Sequence, residues 1–288
     1  KDKFKYIEML SFSGWVMFGA AASVGQRQGA ILLINSFFGT LLNASFAIAT
    51  QINSFVTMFA NNIGQAAIPQ ITKSYSGGEN KRVLHLVTYI GKYSFFSMLL
   101  VAVPILLETE YLLKLWIFDL PRHTILFTQL IILNGLFDCL RSGTPAVIQS
   151  TGKIKWFQII MGSVQLMSIP ISYLLFKLDF SPFYILVVFI LSSVVNTIVG
   201  LILLRKILHF NVKFLIKESY LRIGYVLILI IPLFVGITYF EQSMSRLFSS
   251  LFISTVWLFI IVYIFGLDYQ ERHYILGTVK KFLRNKLK

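Results

Sequence analysis

The chain is short of almost everything that catalysis or a disulfide framework requires. Of its 288 residues only 12 are Asp or Glu, four are His and one is Cys. A single cysteine, Cys139, excludes an intramolecular disulfide, and its place in an apolar stretch reads as packing. His85, His123, His209 and His273 are scattered without carboxylate company, so no metal site is expected. No Ser–His–Asp-like set and no glycine-rich phosphate cradle is present; Gly77 and Gly78 read as a turn. The one pair of closely spaced carboxylates, Glu108 and Glu110, is expected to be exposed. These absences point away from an enzyme and imply no cofactor and no metal.

What the chain has in excess is apolar residues, 56% of the total against 13% charged. They come in blocks of about twenty or more, the length needed to cross a bilayer. The expected fold is all-α, a polytopic membrane protein of about eight transmembrane helices at 7–35, 41–71, 83–107, 123–149, 156–176, 183–204, 222–240 and 247–266. Strands of a membrane barrel would alternate in shorter segments.

The net charge of +14 resembles a nucleic-acid signature until the bases are placed on this topology. Nineteen of the 26 fall in loops or termini on one side, four on the other and three within spans. Such a bias fixes orientation, so both termini are expected to be cytoplasmic and no nucleic-acid partner is implied. The connector 209–221 and the tail 267–288 are basic and amphipathic, which suits anionic membrane lipids as partners.

Polar groups within the spans are the functional signal, because an ionisable side chain at the bilayer centre costs roughly 2.5 to 3.5 kcal/mol even on the gentlest scales. In the stretch 129–155, Asn134, Asp138, Arg141, Pro145 and Gln149 recur at three- and four-residue steps and would share a face of one helix. Asp138 and Arg141 read either as a structural ion pair or as functional groups. The second span carries a stripe of Asn43, Ala47, Thr50, Ser54, Thr57, Asn61 and Gln65, which reads equally as a helix-packing seam or the wall of a wet cavity. Lys92 falls near mid-membrane and needs a carboxylate, an anionic ligand or water. Arg27 falls in the outer half, where it faces a cavity or snorkels to headgroups. Arg27, Lys92 and Arg141 thus stand at three depths beside amide-rich stripes, a possible ladder for an anion.

The segments AAIPQITKSYSGGENKR after the second span, TPAVIQSTGKIK after the fourth and IPISYLLF in the fifth resemble, in order and spacing, the second half of the multidrug/oligosaccharidyl-lipid/polysaccharide exporter superfamily. The likeness is strongest to the polysaccharide-transport branch, flippases for O-antigen or capsule repeat units, and covers roughly 12–214. It implies that 1–208 is the second of two six-helix lobes, that 209–221 is a connector, that 222–266 holds two additional helices, and that an N-terminal lobe of the same chain is missing. Many relatives carry an aspartate near Arg27, so a coupling role for that acid does not carry over. The resemblance implies movement of an undecaprenyl-diphosphate-linked oligosaccharide across a bacterial inner membrane. Arg27, Lys92 and Arg141 would be diphosphate or sugar-acid contacts, and Asn61, Gln65, Asn134 and Gln149 cavity wall. A cation-coupled drug antiporter of the same fold, a membrane-embedded glycan polymerase or ligase and a non-transporting scaffold are the alternatives. Net-basic deep charge disfavours the first, and the lack of a large outer loop the second.

Overall fold

A computed structural model describes residues 2–237, 239–273 and 277, with side chains from residue 6 onward. All regular structure among the described residues is helical, as expected where backbone polar groups must be satisfied without water. The chain divides into two compact units, Lys1–Val212 and Lys213–Lys288.

The first unit contains α1 (Asp2–Phe38), α2 (Thr40–Ser76), α3 (Asn80–Leu107), the short α4 (Thr109–Trp116), α5 (Thr124–Cys139), α6 (Thr144–Ser150), α7 (Lys155–Lys177) and α8 (Tyr184–Leu208). Glycines set its closest approaches. A Cβ on Gly19 of α1 would lie 2.0 Å from Gln158 Oε1 of α7, one on Gly29 would lie 2.9 Å from Ile169, and one on Gly162 would lie 2.8 Å from Phe18. Partners on α1 and α7 rise in number together, so these helices run parallel, packed through small residues. At the far end of α1, Ile34, Phe46, Phe127, Phe176 and Leu186 join five helices in one apolar cluster. Edge-to-face rings at Phe46–Phe127 (6.2 Å) and Phe38–Phe176 (4.8 Å) close it, a geometry favoured by the aromatic quadrupole.

Seven helical runs among the described residues are long and apolar enough to cross a membrane. They make this a multi-pass membrane protein. The second expected span, α2, is not among them, because its stripe of amides and hydroxyls lowers its hydropathy. It runs the same distance nevertheless. Ser45 Oγ donates to the Arg122 carbonyl at one end (2.9 Å), and the Thr72 and Ser150 hydroxyls lie 3.3 Å apart at the other. The 27 residues between Ser45 and Thr72 rise about 40 Å, more than the hydrocarbon thickness.

The fourth expected span, 123–149, is not one continuous helix. It stops at Cys139, turns through 140–143 and restarts at Thr144. Pro145 accounts for this, since a continuous helix would drive its ring into the Arg141 carbonyl. That carbonyl instead accepts from the Thr144 N–H at 2.9 Å. The turn presses on α3, where a Cβ on Gly143 would lie 3.1 Å from Val87 Cα and one on Gly91 3.1 Å from the Leu140 oxygen.

The second unit opens within one helical run, Val212–Ile237, made of α9 (Val212–Leu215), a π-turn (Ile216–Tyr220) and α10 (Leu221–Ile237). The connector expected at 209–221 is therefore no separate helix; from Val212 it forms the first turns of the next one. His209, in a left-handed conformation (φ 52°), ends α8 before it. A second run, Met244–Gly266, comprises α11 (Met244–Ile261) and another π-turn (Val262–Gly266). Arg222 joins the runs, donating twice to Glu218 Oε2 (2.8 and 3.0 Å) and once to the Leu267 carbonyl (3.0 Å). Asp268 and Glu271 then cap each other's backbone N–H reciprocally (2.6 and 2.7 Å), a capping box with Asp in the usual Ser or Thr position. Most of the basic tail expected at 267–288 lies outside the described residues.

Candidate functional site at a broken helix

The turn at 140–143 opens a gap beside α2. A cavity of about 320 Å³ lies there, lined by Asn61, Gly64 and Gln65 of α2 and by Ser142, Pro145 and Gln149 of the broken span. The structure thus gathers three of the expected wall residues, Asn61, Gln65 and Gln149, and all three are exposed.

The α2 stripe does not behave as a packing seam. Thr50, Ser54 and Thr57 donate back to the carbonyls of Ala47, Thr50 and Asn53 at 2.8 Å. Their hydroxyls are spent within the helix. None of the seven stripe residues is buried, and the amides of Asn61 and Gln65 remain presented outward.

Asn134 lies elsewhere. Its Oδ1 accepts from Ser193 Oγ at 2.9 Å, tying α5 to α8. Asp138 and Arg141 form an ion pair, Nη2 to Oδ1 at 2.7 Å, with Arg141 19% and Asp138 39% exposed. The Arg141 Nε is buried and makes no hydrogen bond. Because the helix stops between these residues and Pro145, the single face expected from Asn134 to Gln149 is interrupted, and of those five residues only Pro145 and Gln149 line the cavity.

The three cations do not share a wall. Arg27 is exposed on α1, next to Gln26, whose Nε2 donates to Ser168 Oγ on α7 (3.0 Å). Lys92 is fully buried, its ammonium 5.1 Å from the Tyr89 ring centre and 5.5 Å from that of Tyr93. Aromatic faces stabilise a desolvated ammonium by about 2 kcal/mol, a contribution that the depth of Lys92 alone did not announce. Tyrosines three before and one after a deep lysine were the legible sign. Ser142 was also missed, since only the break turns it toward the cavity.

Two further placements bear on chemistry. Glu108, expected to be exposed, is 2% exposed, because α4 folds over the end of α3 and encloses it. Cys139 is buried with its Sγ 3.3 Å from Met98 Sδ. Among the described residues, no group of three His, Cys, Asp or Glu side chains is placed to hold a metal ion.

Compared with family profiles, curated proteins and solved structures, the chain has no match. The site therefore has to be read from its own chemistry.

Proposed function

We propose that the protein is a flippase of the bacterial inner membrane, moving an undecaprenyl-diphosphate-linked oligosaccharide from the cytoplasmic to the outer leaflet for surface polysaccharide biosynthesis. The observation that carries this reading is the open, amide-lined cavity where the fourth span breaks. Exposed amides at membrane depth cannot face lipid and need a hydrated space. Amides in such a space suit sugar hydroxyls, to which they can both donate and accept.

The diphosphate would otherwise lose its hydration in crossing. Arg27 and Arg141 offer charge-assisted hydrogen bonds that offset this loss, with Asp138 holding Arg141 until cargo arrives. Lys92, enclosed by tyrosine rings in this state, reaches cargo only if α3 shifts. The end of the first unit that carries Lys73, Lys81, Lys153 and Lys155 faces the cytoplasm by the positive-inside bias. Just 6% of the apolar window of α1 is buried, which leaves a face for an N-terminal lobe of the same chain. Access then alternates by rocking of the two lobes about a site built on a discontinuous helix. The protein acts as a carrier and not as an enzyme.

The test is surface polysaccharide in a strain whose only copy carries Asn61→Leu, Gln65→Leu and Gln149→Leu together, at wild-type membrane abundance. Loss of surface glycan with accumulation of lipid-linked repeat units is expected. Normal export would overturn the reading.

A further inference from the structure

A second and larger cavity lies at the basic end of the first unit, where the opening turns of α1 meet the turn into α7. Its volume is about 750 Å³, and it shares no lining residue with the broken-helix cavity. Ile7, Met9 and Phe12 give it an apolar side, while Lys153 and Lys155 give it a cationic one. Gly152, at φ 71°, makes the tight turn that presents both lysines. The Lys155 ammonium is held 5.4 Å from the centre of the Trp15 ring and 5.8 Å from that of Trp156. Two indoles thus fix a cation at the mouth of a half-apolar hollow, at the level where tryptophan and lysine anchor membrane proteins.

The geometry points to a site for one anionic phospholipid, its phosphodiester on Lys153 and Lys155 and its acyl chain along the apolar side. The apolar side gains nothing from a free inorganic anion, whereas an acyl chain buried there adds to binding with every CH₂. Charge selects among lipids. Glu8 also lines the cavity, so among the described lining residues two ammonium groups and one carboxylate leave a net +1, which matches the single charge of a phosphodiester better than a diphosphate. The volume falls in the range of small-molecule sites. None of this rests on the proposed cargo.

The experiment uses the full chain in phosphatidylcholine nanodiscs, titrated with phosphatidylglycerol brominated on its chains. Tryptophan quenching is read in a Trp116→Phe/Trp156→Phe/Trp257→Phe background, which leaves Trp15, a lining residue of the cavity, as reporter. Saturable quenching by the anionic lipid, absent with brominated phosphatidylcholine, is expected. A basic residue at an anionic surface is worth about 1 kcal/mol, or about fivefold, so Lys153→Gln/Lys155→Gln raises half-saturation about 25-fold. Glu8→Gln lowers it about fivefold, and Lys155→Arg leaves it within about twofold. Equal quenching by both lipids, or an unchanged Lys153→Gln/Lys155→Gln variant, would overturn the site. Displacement by millimolar inorganic phosphate would reassign it to free anions. Displacement by undecaprenyl diphosphate at lower concentration than phosphatidylglycerol would reassign it to the carrier lipid.

Discussion

α2 and α3 lie side by side through the first unit, yet they treat polar side chains in opposite ways. α3 carries the more costly group, Lys92, and hides it completely, along with Thr88 and Ser94. α2 carries neutral amides and hydroxyls along the stripe Asn43 to Gln65, and leaves Asn61 and Gln65 exposed. The reason is the spacing of neighbours. α3 is gripped on two sides, by the Ser94 hydroxyl bonding to the Ala60 carbonyl of α2 (3.2 Å) and by the turn at 140–143 against Gly91. Its lysine is then packed between two tyrosine rings. α2 faces the gap that the same turn opens. The polarity of a residue therefore does not tell where a membrane helix is open; the shape of the neighbouring helix does.

The strongest way to break this comparison is to remove the tyrosines. Tyr89→Ala/Tyr93→Ala leaves a buried cation without its ring faces and is expected to lower unfolding stability by about 3 to 5 kcal/mol, measured by thermal denaturation in detergent. A melting temperature equal to wild type would mean that Lys92 reaches water. Next in size is Gly143→Val, which forces a side chain against Val87 and is expected to cost about 1 to 3 kcal/mol. If it costs nothing, the contact between the turn and α3 is loose.

The second unit supplies a control, since its cap at Asp268 and Glu271 involves neither helix of the comparison. Asp268→Ala there removes one side of the reciprocal cap and is expected to destabilise that unit by about 1 kcal/mol, read by hydrogen exchange at the helical residues 269–273. Asp138→Asn is expected to cost less, under about 1 kcal/mol, because Asp138 is more than a third exposed and its pair with Arg141 is screened; the same denaturation assay decides it. Smallest of all is Asn61→Leu/Gln65→Leu, expected within about 0.5 kcal/mol of wild type, although the proposed transport is lost. A large destabilisation there would return α2 to the role of packing seam and close the gap between the two helices.

Much of this architecture was legible in the chain. Blocks of apolar residues fix helices because a bilayer leaves the backbone no other solution, whereas reading 123–149 as one helix passed over the break that Pro145 imposes. Asn61, Gln65 and Gln149 were legible as wall residues because amides at that depth need water or a partner. The span expected at 41–71 is α2, long enough to cross although its stripe makes it more polar than the seven apolar runs. It was contacts at its two ends, Ser45 with Arg122 and Thr72 with Ser150, that gave it its path.

Tertiary structure alone decided which polar groups share a space. Periodicity put Asn134, Asp138, Arg141 and Gln149 on one face by assuming a straight helix, and a four-residue turn undid that assumption. Depth put Arg27, Lys92 and Arg141 in a column, but depth says nothing of rotation about a helix axis. That rotation is set by where neighbouring helices approach most closely, which here follows from glycines at Gly19, Gly91, Gly143 and Gly162 and the side chains they admit. The sequence by itself determined that this chain crosses a membrane many times and carries buried charge. The packing decided that Lys92 is enclosed and that three amides stand open.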